Sequence, residues 1–484
     1  LARLGETAYG PAKAASAGPQ GRDNLKLTAP GWLAAASVAV LALVVPACSS
    51  SAPGAPSAAA RPYNNPAWPQ AETADPTAVG FSREGLAALD ARIAKSVADQ
   101  DVAGAVTLLV RHGQVIQYRT YGQATPSTPM AKDSLFRIYS MSKPITGVAM
   151  MQLYEQGKWK LDDPITKFAP ELANLRELTW GADGKAVLGA DGRPVLRAPA
   201  RPATMRELMS HTAGFGYGLS GDDPVNTAFR NDAVLASPNL DVMMQRIANI
   251  PLLYEPGSRW SYSVAVDIQG YLVQKLSGQK FGDYLKQHVT GPLGMTETAF
   301  FVTEQQRPRF TDVYSWDRTA NRITANPDRP DRPGYFDRNR LESGGGGLVA
   351  STHDYARFCQ MFLNRGELAG HRLLRPETVE LMRTNHIGAL RLYSDGTNAN
   401  PGLPGVGFGL DFAVYGPTSA TSQPYGAGTH YWGGAAGTWF WIDPVNDLFF
   451  IGMIQRMGAA RPGGMDFRGE SARLVYGALT DPSK

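Results

Sequence analysis

Ser140, Met141, Ser142 and Lys143 place a hydroxyl and an amine three residues apart. A serine hydroxyl is a poor nucleophile until a neighbouring base takes its proton. On a helix, residues i and i+3 have Cβ atoms about 5–6 Å apart, so Lys143 can reach Ser140 directly. The same S-x-x-K spacing recurs at Ser277 to Lys280, but there Gly278 reads as the stop of an amphipathic helix. The first copy is followed by Pro144, tolerated in a first helical turn, and by I-T-G-V-A-M-M-Q-L-Y, apolar all round and therefore buried. Ser140 is expected at the N-terminus of that buried helix, where free backbone N–H groups favour developing negative charge. A buried lysine can lose its proton, or stay charged and lower the pKa of a second base. Standing alone, the pair also suits an N-cap serine beside a solvated lysine. The chain has no H-E-x-x-H, no Walker A loop and no G-x-S-x-G elbow.

Further blocks follow in order. They are T-M-R-E-L-M-S-H-T-A-G at 204 to 214, Trp260-Ser261-Tyr262-Ser263 with Asp267 and Gly270, S-G-G-G-G-L-V-A-S-T at 343 to 352, and Trp432-Gly433-Gly434-Ala435-Ala436-Gly437-Thr438. With F-R-I-Y-S-M-S-K around Ser140, this set resembles the motifs of the serine β-lactamase and penicillin-binding-protein superfamily. The combination is most similar to the family VIII carboxylesterases, over roughly residues 79 to 482. The resemblance implies that Ser140 is the acylated nucleophile, Lys143 its proton partner and Tyr262 the general base or base relay. It implies an oxyanion hole made by the backbone N–H groups of Ser140 and Ala435, with Gly433 and Gly434 letting the strand approach the substrate. Trp432 and Val264 join those glycines in the implied pocket. Trp432 stands where β-lactamases and transpeptidases carry a lysine for the substrate's carboxylate, and Val264 where they usually carry asparagine. Both changes replace polar handles with apolar surface, so a neutral acyl ester fits better.

The expected activity is that of a serine carboxylesterase on short- to medium-chain esters, acting through an acyl-enzyme at Ser140. β-Lactamase or D-Ala-type peptidase activity is the alternative, and a non-catalytic cell-envelope binding protein is a second. This chemistry needs no cofactor, and the seven histidines show no metal-ligand spacing. His211 is expected to be structural, His430 and Tyr431 to line the pocket, and Cys359 to be a core thiol.

The elements that must position these residues are legible in outline. Ser82 caps a helix with Leu86, Leu89, Ile93 and Val97 on one face, and strands are expected at 105 to 110 and 114 to 121. Strands return at 406 to 415, 438 to 443 and 448 to 454, and a helix covers about Glu470 to Leu479. The middle is mostly helical, with a hairpin or flap at 179 to 198. The expected fold is α/β (α+β) and β-lactamase-like: a central antiparallel sheet built from both chain ends, flanked by helices, with an inserted, mostly helical subdomain. The hydrolase domain is expected over 80–482, its sheet lobe at about 80–140 and 405–482 and its helical lobe at about 141–404.

Ahead of it, residues 1–47 hold an uncharged run from Trp32 to Val45, too short to span a ~30 Å hydrocarbon core but suited to a signal peptide. Cys48 after Pro46-Ala47 resembles a lipoprotein attachment site, and the Ala/Pro/Ser-rich residues 48–79 read as a tether. An exported, membrane-anchored envelope protein is the expectation. With 47 basic against 43 acidic residues, the net charge of +4 offers no large nucleic-acid footprint, and two cysteines exclude a disulfide scaffold. A small-molecule ester is the one partner expected.

Overall fold

The computed structural model describes residues 62–69, 72, 75–326, 334–394, 402–417 and 424–484. The expected signal peptide and Cys48 lie outside the described residues.

Two distant segments build one sheet. The N-terminal segment gives β1 (Gly104–Arg111), β2 (Gln114–Thr125) and β3 (Thr128–Pro129). The C-terminal one gives β4 (Val406–Phe408), β5 (Ala413–Tyr415), β6 (His430–Gly433), β7 (Trp439–Asp443) and β8 (Leu448–Met453). Their spatial order is β4-β5-β6-β7-β8-β1-β2-β3, and each neighbouring pair is antiparallel. The seam between the two segments pairs Val106 with Met453 and Leu109 with Phe450. Every residue of β1, β7 and β8 is buried, which requires cover on both faces. Adjacent residues of β7 show both covers, because side chains alternate across a strand. Trp439 meets Phe467 at the start of the C-terminal helix, while Phe440 meets Tyr355 on helix Thr352–Leu363. Gly452 sits opposite Trp439, and a Cβ there would lie 2.1 Å from the indole, so only glycine admits that ring.

The helices that bear on the site are α1 (Arg83–Ala98), α2 (Ser142–Glu155), α3 (Met205–Met209), α4 (Ala265–Ser277), α5 (Thr352–Leu363), α6 (Pro376–Met382) and α7 (Phe467–Ala478), among others. Ser82 Oγ accepts the Gly85 N–H at 2.9 Å and caps α1, whose Leu86, Leu89 and Ile93 are buried. The insertion is a hairpin whose stem pairs Glu177–Leu178 with Leu196–Arg197, with Gly184 and Gly192 at positive φ in its tight turns. Cys359 is a buried free thiol on α5. Among the described residues no helix is long and apolar enough to cross a membrane.

Three expectations are corrected. Residues 406 to 415 are not one strand: β4 and β5 form a hairpin, turning through Gly409 to Phe412 with Asp411 at φ +72°. Helix α5 falls within the span expected as the helical lobe, yet it packs on the sheet through Tyr355. The tether ends earlier than residue 79. Trp68 is buried, donates its Nε1–H to Gly113 O at 3.0 Å and meets the Phe449 ring edge-on, with Tyr63 packed beside it. Its composition resembles a linker, but two aromatic rings bury enough apolar area to dock it. Trp68→Ala should therefore destabilise the domain by about 3 kcal/mol, read as a lower urea midpoint. An unchanged midpoint would mean that the segment adds nothing to stability.

Candidate active site

Ser140 lies in a short 3₁₀ turn, Tyr139–Met141, that runs directly into α2. Tyr139 holds φ +41°, a left-handed conformation that non-glycine residues seldom adopt and that recurs at functional sites. The surroundings fix the turn. Ile138 N–H donates to Leu348 O, Leu348 N–H to Ser142 Oγ, and the Tyr355 hydroxyl to Met141 O. Ser140 itself is only half-buried, so its hydroxyl remains open to a substrate.

Lys143 is fully buried one turn behind it. Its Nζ reaches Ser140 Oγ at 3.2 Å, Gly345 O at 2.6 Å and Tyr217 OH at 3.2 Å. Burial pushes its amine down to about 7, against the upward pull of the nearby carboxyls of Asp267 and, when ionised, Asp411. The Tyr262 hydroxyl donates to Ser140 Oγ at 2.6 Å and accepts the Trp432 indole N–H at 3.4 Å. Burial pushes this phenol above its ordinary range, against the hydrogen bonds with Ser140 and Trp432. Lysine and tyrosine are thus driven in opposite directions, both toward the neutral form. That leaves Lys143 as the group that exchanges a proton near neutrality.

Tyr217 and Asp267 complete the site without having been singled out for a role. Tyr217 follows the H-T-A-G block, its ring 5.4 Å from that of Tyr262 and its hydroxyl on Lys143. Asp267, buried on α4, accepts from Ser343 Oγ and from Gly345 N–H at 3.2 Å. It holds the glycine turn that aims Gly345 O at Lys143, a backbone cradle for the amine. A tyrosine in a glycine-rich loop carries no local mark of this duty. The W-S-Y-S-x-x-x-D spacing, which puts Asp267 one helical turn beyond Val264, was the available signal for the carboxylate.

The loop after β6 forms the opposite wall. Gly434 N–H donates to Thr438 O and Gly437 N–H to Gly434 O, closing a tight turn that leaves the Ala435 N–H without a partner among the described residues. A Cβ on Gly434 would stand 2.4 Å from Ile138 O, so glycine lets this turn lie against the residues that carry Ser140. Trp432 packs at 5.5 Å from Tyr262 and 5.4 Å from Phe408. Gly433 faces α7, where a Cβ would meet Arg468 Nη2 at 2.5 Å. The Arg468 guanidinium also stands 5.1 Å over the Tyr431 ring.

Two pocket expectations change. Val264 is wholly buried at the N-cap of α4, so it contributes core rather than accessible pocket wall. His430 shares a strand face with Trp432 but is buried between Phe412 and Phe362, because the β4–β5 turn and α5 close over it there. His211 bonds Ser263 Oγ through Nδ1 at 2.9 Å and packs 4.9 Å from the Tyr262 ring, so it supports the tyrosine rather than Ser140. Burial, and then the Lys143 charge, hold its imidazole well below its usual value. Among the described residues no three His, Cys, Asp or Glu side chains cluster to hold a metal ion.

Comparison with known proteins gives concordant matches. A family model described as Beta-lactamase matches residues 89–472. The chain is 34% identical over 362 residues to Protein Rv1367c of Mycobacterium tuberculosis, covering 73% of this chain and 86% of that protein. It is 31% identical over 390 residues to Esterase EstB of Burkholderia gladioli, covering 76% and 91% respectively. Among solved structures it is similar to EstCE1, described as a hydrolase with promiscuous acyltransferase activity. That match has a TM-score of 0.65 and 27% identity, and covers 82% of this chain and 99% of that one.

Proposed function

This chain belongs to the Beta-lactamase family, and from that premise we propose that it is a serine carboxylesterase acting on short- to medium-chain esters. One observation carries the proposal: Ser140 Oγ stands between Lys143 Nζ at 3.2 Å and Tyr262 OH at 2.6 Å, on the rim of a buried helix. Neutral Lys143 takes the Ser140 proton as Oγ attacks the ester carbonyl. The oxyanion accepts from the N–H groups of Ser140 and Ala435. As the C–O bond to the alcohol breaks, the proton passes from Lys143, through Tyr262, to the leaving oxygen. Water then enters by the same route, giving its proton to the base while its oxygen attacks the acyl carbonyl, and Ser140 recovers its proton as the acid leaves. The similarity to EstB supports ester hydrolysis. Trp432, set beside Tyr262, supplies an apolar wall where a cation would favour a charged substrate. The test is turnover of p-nitrophenyl acetate and butyrate beside nitrocefin, with an acyl adduct sought at Ser140 by mass spectrometry. Absence of both ester turnover and adduct overturns the proposal.

A second reading, hydrolysis of β-lactams or D-Ala peptides, is favoured by Arg468. Its guanidinium lies beside Gly433 and offers a cation from α7 where Trp432 gives none. If the site accepts carboxylate-bearing substrates, Arg468→Ala should raise their KM about tenfold while leaving neutral esters within about twofold. Equal effects on both would remove this reading.

A further inference from the structure

One turn along α2 from Lys143, Gly147 faces Asp411: a Cβ on Gly147 would stand 2.6 Å from Asp411 Oδ2. Asp411 is fully buried in the turn between β4 and β5, at φ +72°. Four elements converge on it. Its N–H donates to Met209 O at the end of α3, and the neighbouring Leu410 N–H donates to Met382 O at the end of α6. Gln269, on α4 two residues beyond Asp267, donates Nε2–H to Asp411 Oδ1 at 2.8 Å. Two buried oxygens of this pair, Gln269 Oε1 and Asp411 Oδ2, are then left as acceptors without a donor. Two planar forks joined at one prong need one more hydrogen, and a proton on Asp411 Oδ2 supplies it.

The charges point the same way. The ionisable groups around Asp411 and Lys143 are these two, Asp267, the phenols of Tyr217 and Tyr262, which burial keeps neutral, and His211, close enough to feel the Lys143 charge but neutral. Lys143, even when protonated, can balance only one carboxylate. Asp267 accepts from Ser343 and Gly345, Asp411 from a single amide, so the negative charge belongs on Asp267. Burial raises both carboxyls, and Asp411 well above the usual carboxylate range.

We propose that Asp411 is a neutral carboxylic acid at neutral pH, paired with Gln269, and that it positions Lys143 by filling the space over Gly147 without adding a second negative charge. An ionised Asp411 would hold the Lys143 proton more tightly and push the base's titration upward. The kinetic part rests on the hydrolase reading; the protonation state does not.

Asp411→Asn is the informative variant, since an asparagine amide offers the donor and the acceptor that the protonated acid offers. Isotope-edited infrared spectra of the full chain at neutral pH should show the carbonyl stretch of a protonated aspartic acid that D411N removes. Its absence, or its persistence in D411N, overturns the proposal. In ester hydrolysis the pH limb of kcat/KM in D411N should stay within about 0.3 unit of the parent; a larger downward shift means that an anion was removed. Asp411→Leu strands the Gln269 amide and should lower kcat about tenfold with the pH limb unmoved, whereas unchanged kcat removes the positioning role. If D411L does not fold, the spectra of the parent and D411N still decide. The infrared band needs no turnover, so a failed esterase assay and a failed proposal are told apart.

Discussion

Ser140→Ala should abolish ester hydrolysis, lowering kcat/KM by about 10⁴–10⁶-fold, and should remove the adduct formed with a fluorophosphonate probe. The size follows from what the substitution deletes. Ser140 Oγ is the atom on which Lys143 and Tyr262 converge, and alanine leaves both facing an empty position. The loss should be kinetic and not structural. The serine side chain is half-buried, and the turn around it is held by Ile138, Ser142 and Met141 through Leu348 and Tyr355. Thermal unfolding of the variant should therefore match the parent within about 2 °C. What activity survives reports the oxyanion donors and substrate binding alone. Turnover within tenfold of the parent in a clean preparation would show that another group attacks the ester.

How far the site was legible depended on how local each relation is. Ser140 and Lys143 share one helix, so spacing alone puts amine and hydroxyl within reach. Tyr262 lies 122 positions further on and meets Ser140 only in the fold; its role came from motif order, not from any physical property of a tyrosine in that segment. Tyr217 had no such motif, and its contact with Lys143 depends on how the chain after α3 crosses behind α2. Arg468 escaped for a like reason. It belongs to a C-terminal helix, and its approach to Gly433 arises because β6 lacks a side chain there.

The sheet was readable because β1, β7 and β8 are continuous apolar runs, the mark of strands covered on both faces. The turn inside residues 406 to 415 was not, since Gly409 and Asp411, its two turn-forming residues, are embedded in an apolar run that reads as continuous strand. Asp411 takes positive φ because tertiary hydrogen bonds to Met209 and Gln269 hold it there. Trp68 shows the opposite error, in which average composition concealed one well-anchored ring.

Lys143→Met should lower kcat by about 10³-fold, with its larger signature in the pH profile. Burial holds the Lys143 amine at about 7, so below that pH it is mostly ammonium and has no lone pair for the Ser140 proton. Activity of the parent should therefore rise with pH through about 7 and level off above it. Tyr262 adds no opposing limb in this range, because burial drives its phenol upward and away from neutrality. Methionine fills a similar volume without an ionisable group, so the variant's residual rate should lose the limb near 7. Arginine at the same position would not restore the rate, since a guanidinium stays charged throughout the range. If K143M keeps a limb at the same pH, the titrating base lies elsewhere and the proton path from Ser140 must be redrawn through Tyr262 or solvent. The ammonium donates three hydrogen bonds here, whereas the neutral amine donates two and accepts one, so deprotonation reverses one contact rather than losing it. Gly345 O, a carbonyl, can only accept and keeps an N–H of the amine, while the Ser140 hydroxyl can donate to the lone pair. The cradle held by Asp267 thereby sets the direction in which the base faces, and burial sets the pH at which it works.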